Sequence, residues 1–254
     1  MAGAGLPRYL WGINIVGESG QTTSFSAKFI ATSCHLWYLI TMEFNDLVRI
    51  VGDEPVFETS LLLAGNVDPA DVRRQLSRWT KAGRLYQFRR GLYALAPPFQ
   101  KVKPHSFLIA NRMVRSSYVS CQSALAHYGL IPEYVPVVVS VTTGRPAHWE
   151  TPLGIFEFRH IKTELLRGSR LIDLGGGQRA FVALPEKALL DLIHLHPAAD
   201  APDYVRELRL QNLERLNLND LERLADLTRS PKLKRAAKFV VELAHVEAKE
   251  YEML

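Results

Sequence analysis

Arg73, Arg74, Ser77, Arg78 and Lys81 crowd into nine consecutive residues, and Arg89 and Arg90 follow close behind. Guanidinium and ammonium groups at this density have one chemistry in common: they donate hydrogen bonds and charge to anionic oxygen, above all phosphate. At about 100° per residue, Val72, Leu76 and Trp79 form an apolar stripe at i, i+4 and i+7. Arg74, Ser77, Arg78 and Lys81 fall on the far side, with Arg73 at its edge. One side packs and the other carries cations.

The distribution of charge says more than its total. The chain has 254 residues and a net charge of only +5. Between residues 42 and 98 there are eight Lys/Arg and seven Asp/Glu, yet all seven acids lie at or before Asp71. From Val72 to Pro132 there are eleven Lys/Arg and no acid at all. A face cleared of carboxylates suits a polyanion, because each added acid would repel phosphate. A solvated basic helix is the plain alternative. An arginine-bearing turn placed directly after the helix favours the polyanion.

The elements that must position these cations can be read locally. Asp68 can cap the basic helix, Pro69 suits its first position, and Gly83 can end it. Leu85–Phe88 and Leu92–Leu95 flank Arg89-Arg90-Gly91, a hairpin signal, and Pro97-Pro98 stops the element. Upstream, Glu43–Val51 places Phe44, Leu47, Val48 and Val51 on one helical face, Gly52–Pro55 breaks it, and Phe57–Ala64 reads as a second, short helix. Helix, short helix, basic helix and hairpin is the order of a winged helix-turn-helix over residues 42–98. In that fold the last helix enters the major groove and the wing reaches phosphates or the minor groove.

Residues 99–254 read as a mixed α+β domain with a small sheet and C-terminal helices. Ser106–Val114 and Val119–Leu130 are helical in pattern, Val135–Thr142 and Ile155–Ile161 are strands, and Asp173–Gln178 is a loop before a short strand at Arg179–Ala183. Leu184-Pro185-Glu186 opens a helix over Lys187–His194. Leucines from Leu208 to Leu227 recur at core-like spacing. Ser230-Pro231 starts a last helix over Lys232–Val246, whose Lys232, Lys234, Arg235 and Lys238 read as a solvated face.

Other candidate chemistry is thin. Gly175–Gly177 lacks a phosphate-loop pattern and opens no helix. Glu157, Asp173, Glu186 and Lys187 do not follow the strand spacing of a Mg²⁺ nuclease, and capping explains Glu186 better. His194 and His196, two apart, point differently on a helix. No catalytic residue, metal site or cofactor is expected, and the chain does not read as an enzyme. Cys34 and Cys121, the only cysteines, form no disulfide framework or zinc spacing and fit a reducing cytoplasm. Phe29–Ile40 is apolar but twelve residues long, too short to span a bilayer. Residues 1–41 are expected to be a leader outside the folded core, with the working protein starting at Met42; the alternative is a genuine tail or a helix that docks on the domain.

The stretches "RWTKAGRLYQFRRGLYAL", "SYVSCQSALAHYGLI", "VVVSVTTGRP", "FEFRHI" and "ALPEKALLDLIHL" occur in the order found in the AbiEi antitoxins of abortive-infection, type IV toxin–antitoxin systems, which the chain therefore resembles. The resemblance runs from about Met42 to the C-terminal helices. It implies a two-domain protein. A winged helix binds double-stranded operator DNA in the protein's own promoter and represses it. A C-terminal domain counters a nucleotidyltransferase-like toxin without a stable complex. By position, Arg73, Arg74, Ser77, Arg78 and Lys81 would read DNA from the helix and Arg89 and Arg90 from the wing. The acid-free stretch continues through Lys101, Lys103, Arg112 and Arg115, so Arg112 and Arg115 are expected to meet the DNA backbone from the second domain. Two alternatives are a standalone regulator whose C-terminal domain binds a ligand or partner protein, and a nuclease targeted by a winged helix.

Overall fold

The computed structural model describes residues 42–64, 67–133 and 135–252, and the expected leader over residues 1–41 lies outside the described residues. α1 (Phe44–Val51) buries Phe44, Leu47 and Val51, and Gly52, at φ +58°, ends it. The short helix expected over residues 57–64 is instead a strand, β1 (Phe57–Glu58), followed by a 3-10 turn, Thr59–Leu63. The hairpin is the reason. Phe57 pairs with Tyr93 and Glu58 with Leu92, and the Thr59 N–H donates to the Gly91 carbonyl at 3.0 Å. A neighbouring strand offers these backbone groups partners that a one-turn helix would leave unmade.

α2 (Pro69–Lys81) starts where its cap directs: the Asp68 carboxylate accepts the Ala70 N–H at 2.8 Å. Val72, Leu76 and Trp79 are buried, as their spacing predicts. β2 (Leu85–Arg89) and β3 (Leu92–Leu95) form the hairpin, bulged between Gln87 and Arg89, in a sheet of order β1-β3-β2. Gly91 takes φ +85° in the two-residue turn, a conformation that suits glycine. These elements enclose one core, in which the Phe44 and Trp79 rings meet edge-on at 5.4 Å.

The larger part carries a second sheet and its own core. α3 (Ser106–Met113), β4 (Ser117–Val119), α4 (Cys121–His127), β5 (Val137–Thr142), β6 (Ala147–Thr151) and β7 (Gly154–His160) come first. A 3-10 turn (Thr163–Leu165), β8 (Ser169–Asp173), β9 (Arg179–Ala183) and α5 (Pro185–Leu195) follow, then α6 (Pro202–Glu207), α7 (Leu218–Leu227) and α8 (Pro231–Glu252). The described residues form a mixed α+β fold with two sheets. The second sheet is larger than expected, with six strands in the order β6-β7-β5-β4-β9-β8. β5–β7 and β4–β9 are parallel and the other neighbours antiparallel.

The helix expected from Val119 therefore begins only at Cys121, because Ser117–Val119 is held between β5 and β9. β4 pairs with β9 at a single register position, and the Asn111 side chain continues the ladder. It accepts from the Phe181 N–H at 2.5 Å and donates to the Phe181 carbonyl at 3.4 Å. α5 is buried along most of its length, including Glu186, Lys187 and Asp191. Lys187 pairs with Asp191, which also accepts from Ser120 Oγ at 2.7 Å and Tyr118 Oη at 3.1 Å.

The two cores meet. Val56, Phe88, Leu92 and Ala94 of the first elements belong to the larger core, beside residues such as Ile109 and Met113. Lys101 pairs with Asp53 at 3.0 Å. Nη2 of Arg115 lies 2.9 and 3.2 Å from the two oxygens of Glu58.

Candidate nucleic-acid interface

Burying Val72, Leu76 and Trp79 turns the opposite side of α2 outward. Arg73, Arg74, Ser77, Arg78 and Lys81 are all exposed. Arg74, Ser77, Arg78 and Lys81 stand at i, i+3, i+4 and i+7, a stripe roughly 10 Å long at 1.5 Å per residue. Arg73, Arg78 and Lys81 have no ion pair among the described residues; Arg74 pairs with Asp71 one turn earlier. Asp71 is the last acid before the cleared stretch, so the carboxylate lies at the N-terminal end of the stripe. Arg84, which the helical spacing does not reach, is a further exposed cation, its guanidinium 5.0 Å above the Phe44 ring. Its position just past Gly83, still inside the acid-free run, was the available signal.

The hairpin cations divide. Arg90, at the turn, is exposed. Arg89 is only partly exposed and points back into the molecule: Nη2 donates to the Arg112 carbonyl at 3.2 Å and Nη1 to the Arg90 carbonyl at 3.1 Å. Its neighbour Phe88 is buried in the larger core. The hairpin is thus fastened along its length to the larger part and does not project as a free arm.

Arg112 and Arg115 are exposed and line a groove of about 650 Å³ with Glu58 and Arg179. Arg115 is engaged by Glu58 across that groove. The groove is not purely basic. Leu171 and Phe181, cross-strand partners on β8 and β9, line it too, and each is about half exposed, 49% and 50%.

The remaining chemical candidates have structural partners. Glu157 pairs with Arg159 at 2.9 Å, and Asp173 accepts the Gly175 N–H at 2.8 Å. Glu186 does not cap its own helix; it is buried and accepts the Asn217 N–H at 2.7 Å, tying α5 to the start of α7. Cys121 is buried, and burial first, then the Asp191 charge, pushes its thiol well above the usual range. Among the described residues no group of three or more His, Cys, Asp or Glu is placed to hold a metal ion, and no helix is long and apolar enough to cross a membrane. The sequence matches no protein-family model and no curated protein.

Proposed function

We propose that this protein is a DNA-binding antitoxin that represses its own operon and counters a nucleotidyltransferase-like toxin. Residues 42–98 are read as a winged helix-turn-helix: α1, β1, the 3-10 turn, α2 and the hairpin come in that order, with β1 paired to the hairpin. Residues 99–254 are the second, antitoxin-like domain. The observation that carries the DNA reading is the two-sided α2. Val72, Leu76 and Trp79 are fully packed, while Arg73, Arg78 and Lys81 face outward with no carboxylate engaging them among the described residues. A helix of that kind, laid in the major groove, offers arginines to guanine edges and lysine to phosphate. The antitoxin half rests on the resemblance of the quoted stretches.

Two placements refine the reading. Arg89 acts as a strut between hairpin and second domain, which leaves Arg90 as the wing's cation for phosphate. Arg112 is the stronger backbone contact of the second-domain pair, since Arg115 is already compensated by Glu58. The test is footprinting on the DNA upstream of the protein's own gene, followed by binding at several salt concentrations. A protected repeat whose affinity falls steeply with salt supports the proposal; binding no tighter than to unrelated duplex removes it. Toxin driven from an unrelated promoter beside this chain separates antitoxicity from repression.

A further inference from the structure

On the α5–α7–α8 side of the larger part, a cleft of about 700 Å³ opens between the Lys162–Arg167 segment, α5 and the α7–α8 turn. Three exposed cations line it: Lys162, Arg167 and Arg229. None has an ion pair among the described residues. Lys187 also reaches it, but its charge is matched by Asp191. Against the three unpaired cations stands a single exposed carboxylate, Glu164. Elsewhere on these helices some cations are compensated: Arg223 pairs with Asp220, Lys234 with Asp226 and Arg235 with Asp200.

Leu190, Leu224, Leu227 and Leu233 supply apolar wall beside these cations. Leu227 is 63% exposed, the largest exposure among the big apolar side chains described. Ser230, at the start of the 22-residue α8, lines the cleft as well. An apolar wall with converging polar groups in this size range is the usual form of a small-molecule site. The turn that presents Arg229 holds it at φ +55°, a conformation costly for a residue with a Cβ.

We propose that this cleft binds a small organic phosphate, its dianionic group held by Lys162, Arg167 and Arg229 and its compact apolar body against Leu224 and Leu227. Two charges on one group answer the cation excess better than a single carboxylate does, and the leucines require a body that inorganic phosphate lacks. The inference goes beyond the DNA reading and does not depend on it, because none of these residues lies on α2 or the hairpin.

Phenyl phosphate is the probe, titrated calorimetrically into the full chain, with inorganic phosphate and phenol as its two halves. Saturable binding of phenyl phosphate, about tenfold tighter than either half, is expected. Arg229→Gly combined with Lys162→Ala should weaken it by about tenfold or more, as expected when a charge-assisted hydrogen bond to the phosphate is removed. Glycine is at ease at φ +55°, so the fold survives that change. Leu227→Ser should weaken phenyl phosphate but leave inorganic phosphate unchanged, and Arg179→Ala, in the other groove, should alter neither. No saturable binding into the millimolar range, or equal binding by the Arg229→Gly/Lys162→Ala protein, would falsify the site.

Discussion

Glu58 on β1 and Arg115, in the turn between α3 and β4, clasp each other across the junction of the two cores, with Nη2 2.9 and 3.2 Å from the carboxylate oxygens. The pair is solvent-facing, with the arginine 79% exposed, so its part in stability is small, about 0–1 kcal/mol. Its larger effect is electrostatic, since it cancels a cation inside the acid-free stretch. Glu58→Gln should therefore tighten binding to duplex DNA and raise the salt slope by about one unit, while Arg112→Ala lowers it by about one. Equal slopes for wild type and Glu58→Gln would mean that Arg115 does not meet phosphate.

On α2, alanine at Arg74, Arg78 and Lys81 together should leave the melting temperature near that of wild type, because all three are exposed. Operator discrimination should fall by about 1–3 kcal/mol for each arginine that reads a base. A folded triple variant that binds the operator undiminished would remove α2 from the groove.

Trp79 should behave in the opposite way. It is 3% exposed and packs edge-on to Phe44. Trp79→Ala is expected to cost about 3–5 kcal/mol in denaturant unfolding. Unchanged stability with abolished DNA binding would instead make the indole a contact residue.

Asp191 accepts from Lys187, Tyr118 and Ser120 in a buried setting. Burial, then the Asp191 charge, drives the Tyr118 hydroxyl far above its ordinary range, so it stays a donor. Asp191→Ala leaves the Lys187 ammonium buried without its partner and should cost about 3–5 kcal/mol. Lys187→Met with Asp191→Leu should recover much of that loss; a double variant as unstable as the single one would show that the charge itself was not the problem.

His105 caps α3 through a ring nitrogen, Nδ1 accepting the Phe107 N–H at 3.1 Å, which requires the neutral ring at that atom. Burial, then the charge of His127, holds His105 below the ordinary imidazole range. The unfolded chain takes up this proton near pH 6.5, the folded chain only at lower pH, so stability falls as pH drops through about 6.5. Melting temperatures at about pH 7.5 and 5.5, either side of that value, should differ in that direction. His105→Asn, a good cap that does not titrate, should reduce the difference; an unaltered difference would place the effect on other histidines.

What the sequence made legible was local. The α2 cap at Asp68, its stripe of Val72, Leu76 and Trp79, and the glycine of the hairpin turn are each set by residues within a turn or two. β6 and β8 were not legible. Both are edge strands, and residues such as His148, Glu150, Arg170 and Asp173 face water or its margin, so neither shows the apolar run of a central strand. Ser117–Val119 was hidden by the helical pattern just after it. The cations were found as types, but not their engagements: Arg89 meets a carbonyl 23 residues away and Arg115 a carboxylate 57 residues away. Only the fold sets such meetings. The same holds for the cleft cations Lys162, Arg167 and Arg229, which lie up to 67 positions apart.

Phe88, Leu92 and Ala94 pack the hairpin into the larger core, so more than the chain joins the two parts. Two modules on a flexible tether each surrender freedom when they engage a common partner, and the second gains only the effective concentration its tether allows. On the proposed reading a single body would engage DNA. With α2 docked, the backbone of Arg112 would already be placed through its carbonyl's bond to Arg89, and only its exposed side chain would still have to order. Avidity for DNA would then be a property of the hydrophobic junction. Softening that junction, as by Phe88→Ala, would then lower affinity for DNA although no cation is removed.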